Sequence, residues 1–450
     1  MAARTGLRLI YEDIGPIKKE REFMQKNKFG FWSIVLLGIN AIIGSGIFLL
    51  PNKAYALAGS FSLVVILFDA LLAMSLALCF AEASGRFQRN GGPYIYARAA
   101  FGNFVGFEVG FMKAAISIIA WAAMANGFAT ALTAVVPAMK DPFYKDLVII
   151  ALMGSLGLIN ILGVQLSKVI NNIVTVGKLL PLVLFIAIGI FYMNGANFTP
   201  LLPSGETAAE FSFGAAALLI FYAFTGFEAI AEAAEDMDDP KRNIPRAIVV
   251  VMLLVSAFYF LIMMVSIGVL GPDLAETKTP IATAAAVFLG TGGGLLVTAG
   301  TLVSIGGINL ASSFLTPRVI VAIADDHMLP PIFSRYNRFH TPYVAILFAT
   351  LVGILIALSG SFTTLAAISV VSRFAQYVPT CLAILVLRKR DPEHPSTLPV
   401  PFGPVIPVIA VLVSLWLLVQ ADLHKILFGL GGLLIAVPFY FLMRKQYLQR

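Results

Sequence analysis

Gly38-Ile39-Asn40-Ala41-Ile42-Ile43-Gly44-Ser45-Gly46-Ile47-Phe48 lies in the first long apolar run of the chain, and Phe221-Tyr222-Ala223-Phe224-Thr225-Gly226-Phe227-Glu228 lies in the sixth. Glycine in a helix interior costs about 1 kcal/mol relative to alanine, and the first stretch sets two glycines around a serine at mid-span. The second has a glycine near its middle and a carboxylate just after it. Interrupted apolar segments at corresponding places in two halves of a chain point to a transporter built from inverted repeats, with its site at the breaks. Unwinding a few residues frees backbone N–H groups at one half-helix end and carbonyls at the other, which together can hold an anionic and a cationic group side by side. An amino acid zwitterion presents that pair of charges. A packing reading stands beside this one, because Gly44-Ser45-Gly46 would also let two helices approach closely.

The composition around these stretches is that of a membrane protein. Of 450 residues, 59% are hydrophobic and 12% charged, against roughly 25% charged in an ordinary soluble domain. Leu147 to Val164, Ala247 to Leu270 and Ile426 to Met443 contain no charged side chain, and each reaches the ~17–25 residues that cross a bilayer. Apolar runs bounded by Gly, Pro and charge place spans near 29–50, 61–84, 101–136, 146–164, 170–193 and 212–236, then near 245–270, 290–322, 342–359, 361–387, 403–420 and 424–443. The expected fold is therefore all-α and integral to the membrane, with about twelve transmembrane helices. The longest loops, 194–211, 271–289 and 323–340, run to about twenty residues, which leaves no room for a separate soluble domain.

The net charge of +7 is scattered through short loops, unlike the clustered basic face that binds nucleic acid. Its expected meaning is topology. One set of loops holds Arg86, Arg89, Arg98, Lys168, Lys241, Arg242, Arg246, Arg335, Arg338, Arg388, Lys389 and Arg390, whereas the other holds little more than Lys140, Lys145, Lys278 and Lys425. Cytoplasmic loops are the Lys/Arg-rich ones, so both termini are expected in the cytoplasm and the protein in the cell membrane. Residues 1–28 are polar, carry Lys18, Lys19, Arg21, Lys26 and Lys28, and show no leader with a cleavage site; a retained cytoplasmic segment is expected. Cys79 and Cys381 sit in distant apolar runs and read as small core residues, with no disulfide framework or metal site.

Gly44-Ser45-Gly46-Ile47-Phe48, the sixth-span stretch, the following Asp239-Pro240-Lys241-Arg242-Asn243-Ile244-Pro245 and the Gly91-Gly92-Pro93-Tyr94 turn together resemble the amino acid, polyamine and organocation permease superfamily over nearly the whole chain. The resemblance implies a LeuT-type five-plus-five inverted repeat, here 29–193 and 212–387, followed by two additional helices, 403–443, working by alternating access. It implies further that the backbone of Gly44, Ser45, Gly46 and Ile47 takes a substrate carboxylate. The carbonyls of Ile42, Ile43, Phe221 and Phe224, beside Gly226, would take its amino group, and Tyr222 would close over it. Lys178 would set an ammonium against the unwound first span where sodium-driven relatives hold sodium, making transport independent of sodium. No cofactor is implied.

Charged groups inside spans cost at least ~2.5–3.5 kcal/mol on insertion scales and are functional candidates by default. Six stand out: Asp69, Lys113, Lys178, Glu228, Glu232 and Arg373. Lys178 could release and regain a proton during a cycle or stay charged as a strut between helices. Glu228 could couple transport to protonation or be a paired structural carboxylate, and Glu232 shares its helix face one turn on. Glu235, Asp236, Asp238 and Asp239 read as a solvated cluster facing Lys241 and Arg242. Arg373 departs from the resemblance, since the tenth span of many relatives is apolar at about this point, and could pair with Asp69 or Glu228 or line a cytoplasmic vestibule. Asn126 could tie helices or face a pocket. Gly306 to Ser313 in the eighth span could line the pathway but read first as a close-packing face, and His327 beside Met328 reads as a loop residue.

A membrane enzyme would need a nucleophile with a base, or a metal cluster. The chain has no His-Glu pair at metal spacing, no phosphate-binding glycine loop and no Gly-x-Ser-x-Gly elbow. A channel would favour a symmetric ring of pore groups from several subunits. The sequence therefore predicts a secondary amino acid transporter, proton-coupled or an exchanger, whose oligomeric state it leaves open. A guessed side-chain pocket of Ala41, Ile42, Ile118, Phe224 and Tyr222 favours neutral substrates, while a carboxylate of Glu228 or Asp69 facing that pocket would favour a cationic amino acid or a polyamine.

Overall fold

A computed structural model describes residues 29–87, 91–163, 168–202, 211–232, 234, 237–325, 329–392 and 395–447. The segment 1–28, Arg89, Glu235, Asp236, His327 and Met328 lie outside the described residues, as do the side chains of Lys168 and Glu232. Among the described residues, sixteen α-helices follow one another, numbered α1 to α16. They are α1 Phe31–Ile42, α2 Ser45–Leu49, α3 Pro51–Ala58, α4 Ser62–Ser84, α5 Pro93–Phe101, α6 Asn103–Leu132, α7 Pro142–Ile161 and α8 Lys168–Gly189, then α9 Phe213–Phe224, α10 Ala229–Glu232, α11 Pro240–Leu270, α12 Pro280–Asp325, α13 Tyr343–Leu358, α14 Phe362–Arg390, α15 Val405–Val419 and α16 Leu423–Tyr447.

Among the described residues, nine helical stretches are long and apolar enough to cross a membrane, and α1, α13 and α15 are shorter apolar helices. Their positions match the twelve expected spans. The first span is divided between α1 and α2, and the sixth between α9 and α10.

Burial sorts these helices into a centre and a periphery. Over their most apolar 18 residues, 78% of the sixth span, Phe213–Ala231, is buried, against 22% for Pro142–Ile161 and 11% for Leu423–Leu442. Leu147, Ile150, Leu158, Leu351, Leu355, Val419 and Leu434 are exposed on the peripheral helices, where hydrocarbon rather than water is the solvent that apolar side chains match. Around the centre, α11 packs along α4, while α12 lies against both α6 and α8 and α14 crosses α6.

Two segments read as loops prove helical. Pro93–Phe101 is a helix with proline in its first turn, where the missing N–H costs nothing. Residues 280–289, inside the expected 271–289 loop, are the first part of α12, which bends at Gly290. Gly290 has φ +66°, a left-handed geometry that side chains with a Cβ resist. The two cysteines, far apart in sequence, are neighbours in space: both are fully buried, and the Cys79 thiol on α4 interacts with that of Cys381 on α14.

Candidate functional site

The two interruptions meet at the centre of the bundle. α1 ends at Ile42, Ile43 and Gly44 are non-helical, and α2 resumes at Ser45 with no side chain capping its start. α9 ends at Phe224; Thr225 is extended and Gly226 has φ +114°. A Cβ on Gly226 would strike the carbonyl oxygen of Ala41, so a left-handed turn and a close backbone approach both require glycine here. A Cβ on Gly46 would come within 2.7 Å of Ala223 Cα. The backbones of the first and sixth spans therefore touch on both sides of the breaks, an approach that only small residues permit.

The carbonyls freed at the end of α1 are met by side chains from three other helices. Lys178 of α8, fully buried, donates from Nζ to Ile43 O at 2.7 Å and to Asn40 O at 3.2 Å. Ser304 Oγ of α12 donates to Ile43 O at 3.2 Å, and Tyr259 OH of α11 donates to Ile42 O at 3.3 Å. Ile43 O thus accepts two protein donors, which uses both of its lone pairs. Tyr222 O likewise accepts from Thr225 N and Thr225 Oγ1.

At the other side of the first break, the Tyr222 hydroxyl lies 3.5 Å from Ser45 Oγ, which also donates to Met124 Sδ at 3.2 Å. The Tyr222 ring packs edge-on against Phe362, with centroids 5.8 Å apart. A Cβ on Gly44 would meet Met124 and Ile308, and one on Gly127 would meet Ser45 and Phe362. Met124, Ile308 and Phe362 therefore surround the break; the sequence reading missed Met124 and Phe362, and reached Ile308 only within the Gly306–Ser313 stretch. Neither Met124 nor Phe362 carries a local signal that sets it apart within its span. Of the guessed pocket residues, Phe224 faces Tyr259, with centroids 5.2 Å apart. Ile118 packs beside Trp121 and Met153 toward Gly353 of α13.

Glu228 is the anchor of the sixth-span break. Its Oε1 accepts from Arg373 and from Gln376 Nε2 at 3.2 Å, and its Oε2 from Tyr377 OH and Gly226 N, each at 3.0 Å. Arg373, Gln376 and Tyr377 all come from α14, and Tyr377 is fixed by stacking on Phe227 (5.3 Å) with Phe80 edge-on at 5.6 Å. Arg373 thus pairs with Glu228 and not with Asp69. Asp69 is fully buried on α4, and neither carboxyl oxygen meets a hydrogen-bond donor among the described residues.

Other candidates are structural. Asn126 donates to the carbonyls of Ala357 (3.0 Å) and Gly360 (2.9 Å), tying α6 to the end of α13. Gly300 and Gly307 of α12 lie against Pro181 and Val174 of α8, and Asn309 and Ser313 bond to their own helix. A second buried carboxylate was missed. Glu82, at the end of α4, accepts from Arg388 Nε at 2.7 Å and from Val400 N at 2.7 Å. The facing run Arg388-Lys389-Arg390 is the sequence signal that could have pointed to it.

A family model described as amino acid permease matches residues 29–437. A transporter of uncharacterized function from Mycobacterium tuberculosis (strain ATCC 25618 / H37Rv) is 34% identical over 435 residues, covering 90% of each chain. A branched-chain amino acid permease, BcaP, of Bacillus subtilis (strain 168) is 29% identical over 94% of each chain. A serine/threonine exchanger, SteT, of the same organism is 29% identical over 94% of this chain and 98% of its own.

Proposed function

Because the chain belongs to the amino acid permease family, we propose that it is a secondary active transporter of neutral amino acids, independent of sodium and working by alternating access between two five-helix repeats, 29–193 and 212–387, with 403–443 as additional helices. The observation that carries this reading is the Lys178 ammonium seated on the carbonyls of Asn40 and Ile43. A cation fixed to the protein occupies the acceptors that a mobile sodium ion would need. The N–H groups of Ser45, Gly46 and Ile47 open α2 without a side-chain cap, and they supply the positive helix end that a carboxylate seeks. The amino group goes to the remaining carbonyls at the breaks, those of Phe221 and Phe224 and the free lone pair of Ile42, and Tyr222 closes over the substrate from beside Ser45.

Neutral substrates are favoured because Glu228 is fully engaged by α14 and offers no open charge to a cationic side chain. Met124, Ile308 and Phe362 supply apolar surroundings. The two Bacillus relatives are named for branched-chain amino acids and for serine and threonine, all with uncharged side chains. The Lys/Arg count favours both termini in the cytoplasm and a place in the cell membrane.

Reconstitution in liposomes tests the reading. Uptake of a panel of labelled amino acids and polyamines is measured with and without a proton gradient, sodium or internal unlabelled substrate. Uptake of neutral amino acids without sodium is expected. Stimulation by a proton gradient assigns symport, and a requirement for internal substrate assigns exchange. Sodium-dependent uptake, or unitary currents in a planar bilayer, would overturn the proposal.

A further inference from the structure

A cavity lies away from the breaks. It lies at the Arg-rich end of the bundle, where the end of α7, the end of α12, the start of α13 and the connection 329–342 come together, and it encloses about 360 Å³. Asn160, Arg318, Asp325, Tyr336, His340 and Thr341 are among its lining residues.

Its walls are built by hydrogen bonds. Asn337 Nδ2 and Thr341 Oγ1 both donate to Ile161 O at 2.9 Å, which fastens the connection to the end of α7. Asn337 Oδ1 in turn accepts from Phe339 N at 2.9 Å and Thr341 N at 3.1 Å, and Asn160 Nδ2 donates to Ser313 O at 2.6 Å. His340 is held at φ +56°, a conformation rare for residues with a Cβ and one that persists only where the surroundings impose it. The cavity is therefore pre-organised.

Its charge is unbalanced. Asp325 accepts from Ser334 Oγ at 2.6 Å. Arg318 forms no ion pair among the described residues, and its guanidinium rests 5.9 Å from the Phe314 ring centroid. Arg335 and Arg338 are exposed on the same connection, and Arg318 is the guanidinium among the residues lining the cavity.

Apolar side chains lie exposed at the rim. Leu315, one turn before Arg318 on the same face of α12, is 53% exposed, and Leu158 and Leu162 beside the cavity are 57% and 50% exposed. Tyr336 and Phe339 are exposed at the mouth, the amphipathic or aromatic side chains that membrane interfaces favour. A basic pocket between spanning helices, with apolar helix surface on one side and interfacial aromatics on the other, matches a phospholipid headgroup with acyl chains running along the helices.

We propose that this cavity binds the phosphate headgroup of an anionic phospholipid, with Arg318 as its charge partner and Tyr336 and His340 as neighbouring polar groups. A free phosphate shares the headgroup chemistry but not the apolar rim.

The test is native mass spectrometry and thermal unfolding of the full-length protein, supplied with phosphatidylglycerol, phosphatidylcholine or inorganic phosphate. The wild-type protein should retain phosphatidylglycerol about tenfold or more over phosphatidylcholine, the preference that one charge-assisted hydrogen bond supplies, and should melt higher in its presence. Arg318→Gln should erase that preference while melting like the wild type in phosphatidylcholine, which shows that it is folded. Equal retention of the two lipids by the wild type, or an undiminished preference in Arg318→Gln, overturns the proposal. Stabilisation by inorganic phosphate equal to that by phosphatidylglycerol overturns the lipid assignment. Each readout is binding, so an outcome here stands apart from whether amino acids are transported.

Discussion

Replacing Lys178 with methionine keeps the length and apolar stem of the side chain and removes only the ammonium. In the wild type that ammonium makes two charge-assisted hydrogen bonds, to Ile43 O and Asn40 O at 2.7 and 3.2 Å, each worth about 1.5–3 kcal/mol. Against them stands the cost of holding an ammonium in a fully buried position, several kcal/mol. The two contributions are of the same size, so global stability should move by no more than about 2 kcal/mol in either direction. The local consequence is larger. Ile43 O keeps Ser304, but the bridge that the ammonium makes between Asn40 O and Ile43 O is gone, and a local loss of hydrogen bonding of this kind costs about 1–3 kcal/mol. The unwound segment will then favour other backbone arrangements. At 1.36 kcal/mol per factor of ten, the population of the substrate-competent break should fall five- to a hundredfold, to order of magnitude. Proteoliposome uptake of a neutral amino acid should fall by at least fivefold, while the melting curve of the purified protein moves little. Wild-type uptake and coupling in Lys178→Met would refute the reasoning and leave the lysine a packing residue. Loss of folding would refute the stability balance.

Gly46→Val should abolish substrate binding, because its Cβ alone would lie 2.7 Å from Ala223 Cα; unchanged binding by calorimetry or uptake would defeat the proposed site. Glu228→Gln leaves Arg373 buried without its counter-ion and should lower stability by about 3–5 kcal/mol. Glu228→Gln combined with Arg373→Gln should recover most of that loss, and a double variant as unstable as the single would show that the pair is not what holds the break. Asp69→Asn removes no hydrogen bond among the described residues and should leave the melting temperature unchanged or raised; a drop as large as that of Glu228→Gln would mean that a cation holds this carboxylate.

Much of this architecture could be read from the chain because its signals are local and repeated. Twelve apolar runs are set by the solvent they must match, and glycine inside a run marks a break wherever the helix is otherwise well formed. What escaped was of two kinds. Pro93–Phe101 is nine residues long, carries Arg98 and follows two glycines, so turn chemistry outweighs its helical tendency in a linear reading. Met124, Ile308 and Phe362 come to the candidate site only because three distant helices converge on the first break, and nothing local to Met124 or Phe362 separates a lining residue from a core residue. The choice of Glu228 over Asp69 as the partner of Arg373 is of the same kind, since each carboxylate sits in an apolar span and only packing decides which meets the guanidinium.

The two breaks are held by comparable devices on comparable helices. Counted along the chain, Lys178 belongs to the fifth span and grips the break in the first, and Arg373, Gln376 and Tyr377 belong to the tenth span and grip the break in the sixth. In the proposed five-plus-five repeat these are equivalent positions, so each repeat fixes its own broken span with a cation from its last helix. The means differ because the broken ends differ. The first break presents bare carbonyls to the ammonium, a compact donor that can serve two of them. The sixth break bonds its own Gly226 N–H to the Glu228 carboxylate, and a carboxylate suits a guanidinium fork flanked by neutral donors. A cation fixed at each break is in keeping with the proposed sodium-independent transport. Motion that carries a substrate across must then move the fifth and tenth spans together with the backbone they hold, or first release those bonds.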